Sequence, residues 1–525
     1  YIFGTVLDGG INDFDWVQQP IIHRAETSND LASAYRRMFF QNQLNYARVF
    51  NKHDVGSTLV MTREQFAEGS MFPRYREDWV ARITYAYNDR YLFETNGAYN
   101  GSEKFGKEYR FGFFPSIAIG WVISNEKFLQ RDWLDNLKFR YSIGKVGNDN
   151  FNAPRWAYQT QWEIDDRTNF GAPNNVSSPY AQYTEAVIGN PNLQWETALK
   201  QNLGVEFAVF ENKIDLTADF FRDHRTNIFM SAGQRNIVDY FGARPVSANL
   251  GETKSQGYEL SLNVQNHYQG LHYWANVSFT HAKEEVIFRE DPALLPDYQK
   301  AQGFQIGQTR NAVSEGYVDN WDEVYATTEW QVQNGNKLPG DQRLVDFNGD
   351  GVINSFDSAP YGYPTRPQNT YNYSFGLDYK GFSIMAQFYG VYNVHRRYGW
   401  FTMPYSDPSE FVVFENSLDQ WTPENTDASW PAQRTNRSYV YDNFYSGDRW
   451  MVDGSFLRLK TAEIAYTLSP AFLKDMGASS ARVYLNGNNL LFWSKMMDDQ
   501  EGHGATSGAG YPAYRRINLG LNVNF

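Results

Sequence analysis

The amino-acid sequence predicts an all-β fold, a transmembrane antiparallel β-barrel, and three observations carry that expectation. The first is the final stretch from Tyr514 to Phe525. There Ile517, Leu519, Leu521, Val523 and Phe525 alternate with Asn518, Gly520, Asn522 and Asn524. Side chains alternate faces along a strand, so one face is apolar and the other small and polar, as suits a stave between lipid and a wet lumen. The second is that this two-faced pattern recurs along the whole chain. The third is that short and long connections alternate between the segments, as the turns and outer loops of membrane barrels do.

Taken in order, residues 1–10 read as a first strand. The aromatic stretch 35–50 turns at Asn51-Lys-His-Asp54 into 55–62. Residues 79–87 alternate regularly, and Asn88-Asp-Arg90 returns the chain through 91–99. Segment 110–123 contains Pro115, which cannot donate to a ladder and predicts a bulge. Segment 137–146 follows. Residues 198–210 and 214–224 are joined by Glu211-Asn-Lys213, and 255–266 and 271–283 by His267-Tyr-Gln-Gly270. Residues 369–379 and 382–392 are joined by Lys380-Gly381, a favoured two-residue hairpin turn. Segments 450–468, 481–492 and the last strand bring the expectation to about sixteen strands. Long connections are expected near 11–34, 63–77, 100–109, 147–197, 225–254, 284–368, 393–449 and 493–513, with 124–134 intermediate. Short helical turns are expected only near 124–134 and 469–476. No linker divides the chain, so 1–525 reads as one unit of barrel wall.

Composition fits this class. No run approaches the ~18–20 apolar residues of a spanning helix. The aromatic fraction of 17% suits both interfacial girdles and sugar-binding surfaces. With no Cys, disulfides and thiolate metal sites are excluded. A net charge of −13 argues against a nucleic-acid partner. The chain starts at Tyr1 without initiator Met or signal peptide, which for an exported protein is expected of a processed chain or a fragment.

One motif carries specific chemistry. Asp346, Asn348, Asp350, Gly351, Val352 and Asp357 occupy positions 1, 3, 5, 6, 7 and 12 of a calcium loop. A hard cation takes six to eight oxygens, and Gly at position 6 permits the turn that converges them. The expected ligands are Asp346, Asn348, Asp350, the Val352 carbonyl and Asp357, in a structural calcium site. Asp at position 12 departs from the EF-hand and resembles dockerin-like loops; without metal the stretch would be an Asx-rich turn.

Other signals are weaker. Gly101 to Lys107 has phosphate-loop spacing, but Glu108 replaces the required hydroxyl. Ser124 and Lys127 have the S-x-x-K form without its partner motifs. The eight His are scattered. No enzyme is expected. Trp156, Trp162, Trp321, Trp330, Trp400, Trp421 and Trp430 fall in long connections, where packing within the loops is favoured over sugar stacking.

Several stretches together resemble the C-terminal barrel of SusC/RagA-type TonB-dependent outer-membrane transporters of Bacteroidetes. They are Gly112-Phe-Phe-Pro-Ser116 with Gly120-Trp121, Gly189-Asn-Pro-Asn-Leu-Gln-Trp-Glu-Thr197, Gly257-Tyr-Glu-Leu260, the calcium-like loop, Tyr379-Lys-Gly-Phe382, Ser455-Phe-Leu-Arg-Leu-Lys460 and Asn486-Gly-Asn-Asn-Leu490. The resemblance implies a twenty-two-stranded barrel with an N-terminal plug and a SusD-like surface lipoprotein as lid. It also implies TonB-driven import of glycan or peptide fragments. No plug, TonB box or first strands are found in the sequence, so TonB contact is expected through a region outside it. The alternative is a complete sixteen-stranded passive porin, in which 1–10 would pair with the last strand. A calcium-stabilised glycan-binding protein outside the membrane is a third reading.

Overall fold

The computed structural model describes the chain apart from residues 1–2, 7–13, 18–34, 69–71, 151, 168–180, 238–241, 243–244, 327–328, 331–336, 398–417, 433–447, 470–472, 474–476 and 497–512. Its body is one antiparallel sheet of fifteen strands in sequence order. The wall strands are β1 (Tyr35–Phe50), β2 (His53–Glu68), β3 (Arg74–Tyr87), β4 (Tyr91–Ser102) and β5 (Phe111–Val122). Next come β6 (Leu134–Asn148), β7 (Glu196–Val209), β8 (Ile214–Met230), β9 (Ala248–Tyr268) and β10 (Leu271–Phe288). The set ends with β11 (Asn369–Tyr379), β12 (Phe382–Tyr392), β13 (Phe456–Thr467), β14 (Ser480–Ser494) and β15 (Arg516–Asn524). Each strand pairs with its sequence neighbour, so odd and even connections lie at opposite rims. One rim carries 51–52, 88–90, 123–133, 210–213, 269–270, 380–381 and 468–479. The other carries 69–73, 103–110, 149–195, 231–247, 289–368, 393–455 and 495–515. The expected segregation of short and long connections is therefore present.

Register aligns the two faces across the sheet. Leu519 faces Leu485, which faces Ile464, then Ile384, Leu377 and Tyr273. The outward side chains are exposed; Leu44 and Leu519 are 69% and 79% accessible. A soluble sheet would cover such a face; a wall of apolar positions next to lipid does not need to. The opposite face carries Asn518, Asn486, Glu463 and Met385 in the same rows.

Six expectations are corrected. Of the strand expected at 1–10, the described part, Phe3–Val6, does not join the wall: it pairs with Phe14–Val17 in a separate two-stranded sheet. The described wall has fifteen strands, with β1 and β15 each paired on one side only, so the closure expected of the passive porin is not formed. Segment 450–468 splits: Met451–Asp453 pairs with His395–Arg397 above the wall, and only Phe456–Thr467 is a stave. Pro115 makes no bulge. Its register with β4 continues through Gly97, and pairing of β5 with β6 begins one residue later, at Ser116. The missing N–H thus falls where the ladder on that side ends. The link expected at 63–77 contracts to 69–73 because both flanking strands run on past the apolar band. A short helix, Trp321–Ala326, lies inside the largest loop.

Candidate functional site

The lumen-facing side is built from alternate residues of every stave. Arg82 on β3 forms a two-pronged pair with Glu94 on β4, at 3.0 and 2.6 Å. Lys138 and Arg140 on β6 both reach Glu206 on β7 at 3.1 Å. Arg140 continues to Asp219 on β8 at 2.7 Å, and Asn202 donates to the same carboxylate at 2.7 Å. Arg482 pairs with Glu463, to which Asn486 also donates, and Asn518 donates to Asn486. This face is therefore charged but locally neutralised, which suits a watered channel rather than a greasy core.

Among the depressions of the described wall, two stand out. A cleft of about 760 Å³ opens at the long-loop end of β1–β4, between aromatic rings (Phe39, Tyr75, Phe111, Trp156, Tyr158) and charged groups (Arg63, Glu64, Arg76, Glu77, Glu103, Arg110). A second, about 340 Å³, lies on β10–β13 and is lined by Ser278, Thr280, Thr370, Asn372, Gln387, Tyr389 and Lys460. The second offers hydroxyls and amides beside an aromatic ring. The alternation placed these residues on the polar face, but only the register brings four strands' worth of them together.

Above the wall the long loops pack on one another. Phe105, Phe114, Leu193 and Trp195 are buried in one cluster, with Trp195 5.3 Å from both Phe105 and Phe114. Two motifs far apart in sequence, 112–116 and 189–197, thus meet at the rim. In the next assembly Tyr317, Trp421 and Ala428 form a core, and the Trp430 ring lies tilted against Trp450 with centroids 5.1 Å apart. Arg449 donates to the Tyr317 hydroxyl at 2.9 Å, and Ala432 N–H donates to the Gly340 carbonyl. Loops 289–368 and 393–455 are therefore one platform. Burial drives the Tyr317 phenol up to about 12, opposed by Arg449. Among the loop tryptophans, Trp421 and Trp430 are buried as expected, Trp162 and Trp321 are exposed, and Trp156 lies under Arg155, with its centroid 4.3 Å from the guanidinium. The backbone of Trp330 pairs beside Ile353; Trp400 lies outside the described residues.

The five expected metal ligands sit on one tightly wound loop of this platform. Asp346 accepts from the N–H groups of Gly349 (2.8 Å), Asp350 (3.2 Å) and Gly351 (2.8 Å). Asn348 accepts from Asp350 N–H, and Asp350 from Val352 N–H. Gly351 has φ +87°, the left-handed conformation position 6 requires. Asp357 is fully buried and holds the loop shut, accepting from Phe347 (2.8 Å), Asn348 (3.3 Å) and Asn354 (2.7 Å) N–H. Tyr298 donates to the Phe356 carbonyl beside it, and burial followed by the charges of Asp357, Asp350 and Asp346 raises its phenol. The hard-oxygen donor set fits calcium. In this conformation, however, no three acidic or histidine groups among the described residues gather closely enough to hold a metal; the Asp357 oxygens serve the backbone instead.

Comparison with known proteins agrees with this architecture. Residues 8–490 match the family described as TonB dependent receptor-like, beta-barrel. TonB-dependent receptor P26 of Formosa agariphila is 28% identical over 476 residues, covering 85% of this chain and 46% of its own length. TonB-dependent receptor SusC of Bacteroides thetaiotaomicron is 25% identical over 458 residues, covering 85% and 43%. These relatives are receptors, not enzymes, and the chain spans about half the length of the curated relatives it matches. Among solved structures, the RagAB peptide transporter superposes with a TM-score of 0.70 at 19% identity, over 94% of this chain and 56% of that one, which shows a shared fold. An apolar outer face, a polar inner face, rim-segregated loops and the match over most of the sequence lead to one conclusion: the chain belongs to the TonB-dependent receptor family and is part of an outer-membrane β-barrel.

Proposed function

We propose that this chain forms the wall of a TonB-dependent transporter that imports glycan or peptide fragments beneath a SusD-like surface lipoprotein lid. The observation that carries the reading is the loop platform. Loops of this size are not needed to join neighbouring staves, yet 289–368 and 393–455 fold together above a polar wall that holds a recess on β10–β13. A platform suits a lid, and the hydroxyl- and amide-lined recess suits hydrogen-bonding cargo. Coupling to TonB is assigned to a region outside residues 1–525. The two open edges of the sheet likewise require further strands between β15 and β1. The test is extraction of the intact protein from outer membranes. A lipoprotein should co-purify, and cross-links should join it to 289–368 or 393–455. Loops that stay uncross-linked in the intact membrane would overturn the lid.

Calcium is part of the same proposal, held by Asp346, Asn348, Asp350, the Val352 carbonyl and Asp357. The prewound Asp346 turn supports it; binding would draw Asp357 oxygens from backbone N–H groups to the ion. Oxygen distances of ~2.3–2.6 Å are expected. Chelation should raise protease cutting within 289–368 while the wall stays folded. A calcium-soaked structure with the loop open and no density would refute the site.

A further inference from the structure

We propose that the lipid-facing side of β6–β10 carries a binding site for a phosphorylated lipid headgroup of the outer leaflet. The register places Lys145, Arg222, Lys254 and Lys283 on that side. Leu199 links Lys145 to His224, His224 faces Lys254, and Arg222 is joined to Lys283 through Gln256. These positions continue the outward rows of Tyr141, Phe220 and Tyr258 toward the long-loop rim, which is the outer-leaflet end of the barrel. Lys145, Arg222 and Lys283 are exposed and Lys254 half-buried. None of the four forms a hydrogen bond or ion pair with another described residue. Elsewhere on the outer wall Arg63 is neutralised by Glu77 at 2.8 Å.

Two carboxylates share the patch. Glu252 is engaged by His224, and Glu285 stands in register with Lys254. Four cations against two carboxylates leave it positive on a chain whose net charge is −13. The flanking staves present aromatic rings toward the same rim: Tyr99, Phe111 and Phe113 on one side, Tyr371 and Tyr392 on the other. A window of unpaired cations between aromatic sectors, at the depth where headgroups begin, is complementary to phosphate. It spans five adjacent strands, about 19 Å at ~4.8 Å per strand, which accommodates a headgroup bearing more than one phosphate.

The test is native mass spectrometry on the full-length protein from outer membranes, with bisphosphorylated lipid A as the added probe. Dephosphorylated lipid A and inorganic phosphate are the comparators. The wild type should retain the phosphorylated lipid. Lys145→Gln, Arg222→Gln, Lys254→Gln and Lys283→Gln together should weaken retention by at least about a hundred-fold, given the attraction typical of each membrane-surface cation. Lys52→Gln, Lys127→Gln, Lys213→Gln and Lys380→Gln, the same charge change at the opposite rim, should leave it intact. If the fourfold patch variant does not fold, Arg222→Gln alone should lose about five-fold and Arg222→Lys should keep most binding. Unchanged retention in the patch variants, equal loss in the opposite-rim control, equal binding of dephosphorylated lipid, or displacement by inorganic phosphate would each overturn the proposal.

Discussion

Asp357 and His395 show what single side chains do in the loop platform. Asp357 is buried without a cationic partner among the described residues and is stabilised by three N–H donors. Asp357→Ala leaves those amides unsatisfied, which costs about 1–3 kcal/mol for such a group. The expected outcome is new protease cutting near 346–357 with the barrel's gel mobility unchanged. His395 accepts from Tyr363 N–H through Nδ1 at 2.9 Å, so its ring is neutral there. Burial lowers its affinity for a proton, opposed by Asp453. A base whose folded pKa is depressed favours folding above its unfolded value near 6.5 and loses that contribution as pH falls through it. The protection of the Tyr363 amide against exchange, relative to its intrinsic rate at the same pH, should therefore fall as pH drops below ~6.5. His395→Asn should flatten that profile.

At the scale of elements, the β11–β12 hairpin turns on two residues with positive φ, Lys380 at 47° and Gly381 at 90°. Such a turn matches the twist of the strands it joins. A Cβ at Gly381 would also stand 2.7 Å from the Thr467 carbonyl. Gly381→Ala should therefore destabilise the hairpin by about 1–2 kcal/mol, read as a lower urea midpoint for the wall. Trp195 works at the other rim, where it joins Phe105 and Phe114 across two loops. Trp195→Ala should cost about 3–5 kcal/mol of local stability and expose 103–110 and 149–195 to proteolysis. Both elements were legible as motifs in the sequence. The contact between Phe114 and Trp195 was not, because Phe114 lies on β5 and Trp195 in the loop that leads into β7, with β6 between them.

At the scale of the molecule, the sheet has two open edges, β1 and β15. An unpaired backbone group in hydrocarbon costs several kcal/mol. Each edge crosses the membrane with ~9–11 residues, so two bare edges would cost tens of kcal/mol against the ~5–15 kcal/mol of net stability usual for a domain. Other strands must cover them. Cysteines introduced at Asn45 and Asn518, both on lumen-facing rows of the edge strands, should fail to cross-link to each other in the intact protein. Efficient disulfide formation between them would restore the small closed barrel.

By itself the sequence determined the fold class, the face each residue takes and the rim each connection occupies. Period-two alternation is a local property of the extended backbone, and connection length can be counted without coordinates. It placed β11, β12 and the Lys380-Gly381 turn without error, and it marked Asp346, Asn348, Asp350, Val352 and Asp357 as one loop. Only the tertiary structure decided what depends on register and long-range packing. It took Phe3–Val6 out of the wall, divided 450–468 and fused two loops into a platform. It also turned Asp357 toward backbone amides and gathered Lys145, Arg222, Lys254 and Lys283 from four strands into one patch. A strand's pattern says which way its side chains point, but shifting its partner by two residues keeps that pattern and changes every neighbour.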